Sequence, residues 1–131
     1  MSDAGLLTRE SRYSAKTTLD RLEAAAKAKG LTIFARIDHA AGAAAVGMPL
    51  RPTELLIFGN ARGGTPLMQA EQTVGIDLPL KALAFEDAAG KTWLTTNDTA
   101  WLAARHGVAC VEAVKTLSAV LAALVEQATA G

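Results

Sequence analysis

One segment limits the fold more than any other: Cys110, Val114, Leu117, Leu121, Leu124 and Ala128 recur at intervals of 4, 3, 4, 3 and 4 residues. That interval is the period of an α-helix with one apolar face. The spacing predicts a long last helix, starting near Val108, whose face must be buried. A second stripe, Ala15, Leu19, Leu22 and Ala26, predicts a helix from Ser14 to about Lys29. Ser14 is suited to cap it, because its hydroxyl can accept an orphan N–H of the first turn. Lys27 and Lys29 place cations at the negative end of the helix, and Gly30 then tolerates a left-handed backbone.

Strand patterns lie between these helices. Residues 6–13 form a weak strand. Leu31, Ile33, Ala35 and Ile37 alternate with Thr32, Phe34 and Arg36, the period of a half-buried strand. Asp38 is placed to cap a short helix through Ala45 or Val46. Pro52 opens a strand over Thr53 to Phe58. Its run Leu55-Leu56-Ile57-Phe58 is continuous, which predicts a central strand covered on both faces, by helices and by a partner subunit. Gly59-Asn60 breaks it. Thr65 caps the next helix, with Pro66 at its first position and Gly75 at its end. Lys81 to Glu86 and Lys91 to Thr96 pair through a hairpin turn at Asp87 to Gly90. Asn97 or Asp98 caps a helix through Trp101 to Arg105, which His106-Gly107 ends. About five strands and five helices without strict alternation predict one α+β domain: a two-layer sandwich with helices on one face of a mainly antiparallel sheet.

Composition removes several function classes. Half of the 131 residues are hydrophobic and 20% are charged, which excludes a disordered chain. The 13 basic residues equal the 13 acidic ones. No basic stripe is left to neutralise phosphates or an anionic bilayer, so neither nucleic acid nor membrane is an expected partner. Cys110 is the one cysteine, so no internal disulfide and no four-cysteine zinc site can form. Glu112, Lys115, Ser118 and Glu126 interrupt the most apolar stretch, which predicts no membrane span. Met1-Ser2-Asp3-Ala4 does not begin a secretory leader, so the expected setting is a soluble, cytoplasmic domain.

Three polar stations remain. At Asp38-His39, a histidine near a strand end has the chemistry of a general base and a neighbouring carboxylate can fix its tautomer. The structural reading makes Asp38 a helix cap and packs His39 locally. At Gly59 to Thr65, a glycine-rich loop between strand and helix can cradle an anion, or simply make a tight connection. It is neither a P-loop nor a dinucleotide fingerprint. At His106, an imidazole sits in the last turn of a helix, where the dipole stabilises its charged form. His106 and Cys110 are four apart, but Gly107 between them and the lack of a carboxylate pattern speak against a metal. Cys110 itself reads as a buried, inert thiol. No catalytic signature is present.

In order along the chain, the runs Ile-Asp-His-Ala-Ala-Gly-Ala (37–43), Leu-Arg-Pro-Thr-Glu-Leu-Leu-Ile-Phe-Gly-Asn (50–60), Gly-Thr-Pro-Leu-Met (64–68), Asp-Leu-Pro-Leu-Lys (77–81), Phe-Glu-Asp (85–87) and Asn-Asp-Thr-Ala-Trp-Leu-Ala-Ala-Arg-His-Gly (97–107) resemble the bacterial and archaeal family called domain of unknown function 302. The resemblance covers roughly residues 12 to 125. Where that family has Pro after Gly-Asn, this chain has Ala61. The resemblance implies an α+β domain that tends to form homodimers; it supplies no established reaction, so it carries over no catalytic residue and leaves any cofactor unknown. It marks Asp38, His39, Glu54, Gly59, Asn60, Thr65, Lys81, Asn97 and His106 as matches to the family's polar and glycine positions. Asp38, Glu54 and Lys81 are candidates to share one cavity.

Three functions follow as expectations. The first is a homodimeric binding module holding a small, partly apolar ligand between the sheet and the small-residue helix after His39. The second is an enzyme with His39 as general base. The third is a structural or partner-binding protein without a pocket.

Overall fold

The computed structural model describes residues 2–130. It contains an α+β sandwich with six antiparallel strands: β1 (Ser2–Asp3), β2 (Leu6–Ser11), β3 (Thr32–Asp38), β4 (Thr53–Gly59), β5 (Leu80–Glu86) and β6 (Thr92–Asn97). Their order across the sheet is β1-β2-β6-β5-β4-β3. Strands β3 to β6 form a meander, and α1 (Ala15–Ala28) carries the chain from β2 to β3 at the far edge. The remaining helices are α2 (His39–Ala45), α3 (Ala61–Ala70), α4 (Thr99–Arg105) and α5 (Val111–Thr129), with a 3-10 helix at Gln72–Asp77.

The two apolar stripes find each other. Leu19, Leu22 and Ala26 of α1 and Leu121, Leu124 and Ala128 of α5 are buried against Leu56, Phe58, Ala82, Ala84 and Leu94 of the sheet. Ser14 caps α1 by accepting the Thr17 N–H at 3.1 Å. Asp98 caps α4 by accepting from Ala100 and Trp101. The hairpin turn is tied by Asp87, whose carboxylate accepts from Ala89 N, Lys91 N and Trp93 Nε1.

Three local readings change. First, α3 starts at Ala61 and not at Thr65. Asn60 caps it, with Oδ1 accepting the Gly63 N–H at 2.7 Å. Pro66 therefore lies inside the helix, and the stretch up to Gly75 is divided between α3 and the 3-10 helix. Tertiary packing overrides the low helix propensity of Gly63-Gly64: a Cβ on Gly63 would stand 3.0 Å from Leu117 Cδ2 and 3.2 Å from Asn60 Oδ1, so glycine lets α3 lie this close to α5 without displacing either side chain. Second, β3 does not alternate throughout. A bulge between Ile33 and Ala35 leaves Phe34 outside the register. Ile33 faces Phe58 on the helix-covered side, whereas Ala35 and Ile37 turn to the other side and Arg36 takes the covered side opposite Leu56. Third, α5 begins at Val111. Cys110 precedes it, half-buried, with its thiol 3.8 Å from the Pro66 carbonyl oxygen instead of on the core face.

The sheet face away from α1 and α5 is open. Register assigns it rows such as Leu6, Asn97, Lys81, Ile57 and Ala35, and Thr8, Thr95, Leu83, Leu55 and Ile37. Trp93 and Phe85 pair across the next row.

Candidate functional site

Strand register separates the polar stations into two groups. Asp38 and Glu54 are cross-strand partners at one end of the sheet. Gly59, Lys81 and Asn97 stand at the other end, where β4 finishes, β5 starts and β6 finishes.

At the first end the side chains are already committed. Asp38 caps α2, accepting the Ala41 N–H at 2.9 Å. His39 is exposed at the first position of α2. Glu54 lies on the helix-covered face and accepts from Arg36 Nε at 2.8 Å and from its second terminal nitrogen at 3.3 Å. Lys81 follows a different phase of its strand and faces the open side, so Asp38, Glu54 and Lys81 do not share a cavity.

At the other end the second and third stations meet through the 3-10 helix. His106 ends α4, and its ring is held between Thr73 and Asp77 of the 3-10 helix. Nδ1 lies 2.9 Å from Thr73 Oγ1, and Nε2 lies 2.6 Å from Asp77 Oδ2. Arg105 donates to both oxygens of Asp77 at 3.1 Å. Lys81 Nζ donates to the backbone carbonyls of Asp77 and Pro79 at 3.3 Å each. The side chain of His106 is only 9% exposed. A ring so enclosed, with both nitrogens engaged, fastens the 3-10 helix to α4. Among the described residues Asn97 Oδ1, which is buried, has no hydrogen-bond partner, and Thr65 is exposed on α3. Among the described residues, no three His, Cys, Asp or Glu side chains gather as a metal-binding set.

The 3-10 helix so fastened forms one wall of a cavity of about 260 Å³. Gly59, Asn60 and Gly64 contribute from the β4–α3 junction, Gly75 and Leu78 from the 3-10 helix and its exit, and Phe34 from the β3 bulge. Met68, Pro79, Leu80 and Leu117 complete the apolar lining. Among the described residues, no charged side chain lines it. The cavity thus lies beside α3 and not beside α2, the helix that the small-residue run after His39 had suggested.

Phe34 and Met68 carry no polar signal and escape a search for chemistry-bearing residues. The clue to Phe34 was a large aromatic on the polar phase of a strand. Asp77 had no local clue, because its partner His106 is distant in sequence.

Three comparisons bear on this architecture. The family described as domain of unknown function DUF302 matches residues 7–124. Two proteins called fluoride-specific ion channel FluC 1, from Brucella suis biovar 1 (strain 1330) and Brucella abortus biovar 1 (strain 9-941), are each 56% identical over 106 residues. That match takes in 81% of this chain and 42% and 39% of theirs, so the chain spans about two-fifths of the curated relatives' length. Among the described residues no helix is long and apolar enough to cross a membrane. The crystal structure of an uncharacterized conserved protein DUF302 from Bacillus stearothermophilus shares the fold, with a TM-score of 0.85 at 18% identity over 96% of this chain and 99% of that one.

Proposed function

The chain belongs to the DUF302 family, and from that premise we propose that it is a homodimeric small-ligand-binding module whose ligand occupies the cavity beside Gly59 and Asn60. The observation that carries this reading is the cavity's lining. It is concave, apolar and built largely from backbone and aliphatic groups, with Asn60 as its polar side chain. A site of this kind takes an uncharged or largely apolar molecule, because a charge would lose its hydration without finding a partner. His106 belongs to the site indirectly, by holding the 3-10 wall through Asp77 and Thr73. The exposed position of His39, outside this cavity, gives the general-base alternative no comparable support.

A second reading draws on the relatives. Proteins called fluoride-specific ion channels contain a stretch similar to this chain together with sequence that it does not match. A module of this family would then act beside a channel and respond to its ion.

One experiment addresses both. Thermal melting of the purified chain is measured against a panel of small apolar metabolites and cofactors, including haem, and against sodium fluoride and sodium chloride at equal ionic strength. A cavity ligand present at about a hundred times its Kd raises the melting temperature by several degrees. Filling the cavity with Gly64→Leu abolishes that rise. If nothing in the panel stabilises the protein, the ligand-binding reading fails. Identical curves in fluoride and chloride remove a direct fluoride response.

A further inference from the structure

We propose that the cavity selects flat aromatic molecules over aliphatic ones of equal size, and that Phe34 makes the selection. This rests on the ligand-binding reading and narrows its chemistry.

The bulge in β3 is the first support. Ile33 pairs with Phe58 and Ala35 with Ile57, so Phe34 is the extra residue with no partner across the ladder. A bulge re-aims the side chain it carries. Here the ring reaches the cavity wall and yet remains 54% exposed. An aromatic ring left half in water at the edge of an apolar cavity gains from being covered, and a ligand entering there covers it. Ring on ring adds an attraction that an aliphatic ligand does not supply.

The second support is Met68, another residue of the lining. A Cβ built on Gly75 would lie 3.3 Å from Met68 Sδ, and one on Gly64 would lie 3.7 Å from Met68 Cε. The thioether thus packs close against Gly75 and in ordinary contact with Gly64. Sulfur in this setting prefers the edge of an aromatic ring over an aliphatic surface. Phe34 and Met68 favour the same ligand class from independent positions.

Polarity sets the remaining limits. Asn60 Oδ1 is committed to the Gly63 N–H. Its amide nitrogen remains as a donor for one ligand oxygen. The class is an uncharged aromatic ring system carrying a single hydroxyl or carbonyl.

The test uses 2-naphthol and decahydro-2-naphthol, which share a carbon skeleton and a hydroxyl but differ in flatness. Their Kd values are measured by calorimetry on the intact chain, on Phe34→Leu and on Met68→Leu. The expected result is that 2-naphthol binds about tenfold tighter than its saturated counterpart. Phe34→Leu erases most of that preference, read as the ratio of the two Kd values within the same variant, and Met68→Leu on its own reduces the ratio by a smaller factor. Circular dichroism checks that each variant is folded; Phe34 is exposed enough for its replacement to be tolerated. Equal affinity for the two alcohols overturns the proposal while the ligand-binding reading stands. A preference that survives in Phe34→Leu also overturns it. Binding of neither alcohol overturns it too, and the broader melting panel then decides whether the ligand-binding reading falls with it.

Discussion

At Arg36 one guanidinium meets three carboxylates. It donates to Glu54 at 2.8 Å and makes ion pairs with Asp20 at 2.8 Å and Glu23 at 3.3 Å, joining β3, β4 and α1. The bond to Glu54, opposed by burial and reinforced by Asp20, holds the Arg36 pKa above its ordinary value. Burial pushes the Asp20 carboxyl upward, but hydrogen bonds from Lys16 and Arg36 outweigh it and leave it below 3.8. For Glu23 the hydrogen bond from Lys27 leads, burial opposes, and Arg36 adds to a net fall below 4.5. Carboxyls depressed in the folded state stabilise it above their unfolded values. That contribution is lost as pH falls through the lower folded values. Arg36→Met therefore makes the decline in stability between about pH 5 and pH 3 shallower, which urea midpoints measured against pH will report. An unchanged slope would show that Arg36 is not what depresses these carboxyls. Glu54, which resembled a site residue, is spent on this network.

The element that carries most of the site is α3 with the 3-10 helix behind it. Its start is set by Asn60, whose backbone is extended at φ −152 and ψ 160. Ala61 is the first helical position, where an N–H has no intrahelical partner. Proline suits that position, and it also requires an extended residue before it. Ala61→Pro should stabilise the protein by about 0.5 kcal/mol through a less flexible unfolded chain. A calorimetric melting temperature raised by a few degrees would agree; a lowered one would mean that the β4–α3 junction tolerates no such constraint.

Across the whole molecule, the open sheet face asks for a cover. Leu55, Ile57, Leu83, Phe85 and Trp93 lie on it, half-buried by one another. A second copy laid on this face, as proposed above, would account for the unbroken apolar run of β4, which α1 and α5 cover from one side only. Light scattering should give a dimer at micromolar concentration, and Leu83→Lys should convert it to monomer. A monomeric wild-type chain overturns the dimer. The same measurement on the Ala61→Pro variant should be unaffected, since α3 lies on the covered side.

Local chemistry determined the parts whose causes are local. The apolar stripes of α1 and α5, the caps Ser14, Asp38 and Asp98 and the Asp87 hairpin depend on residues within a turn or two of each other, and their spacing carried the α+β class. What only the tertiary structure decided depends on distant partners. Gly63 leaves room for Leu117 to pack against α3, Arg36 is inward because three carboxylates receive it, and His106 is fixed by Asp77 and Thr73. Phe34 reaches the cavity because a bulge shifts the strand by one residue. A period of two or 3.6 records which face an element buries. It holds no record of which remote side chain will stand opposite, and the cavity is made of such oppositions.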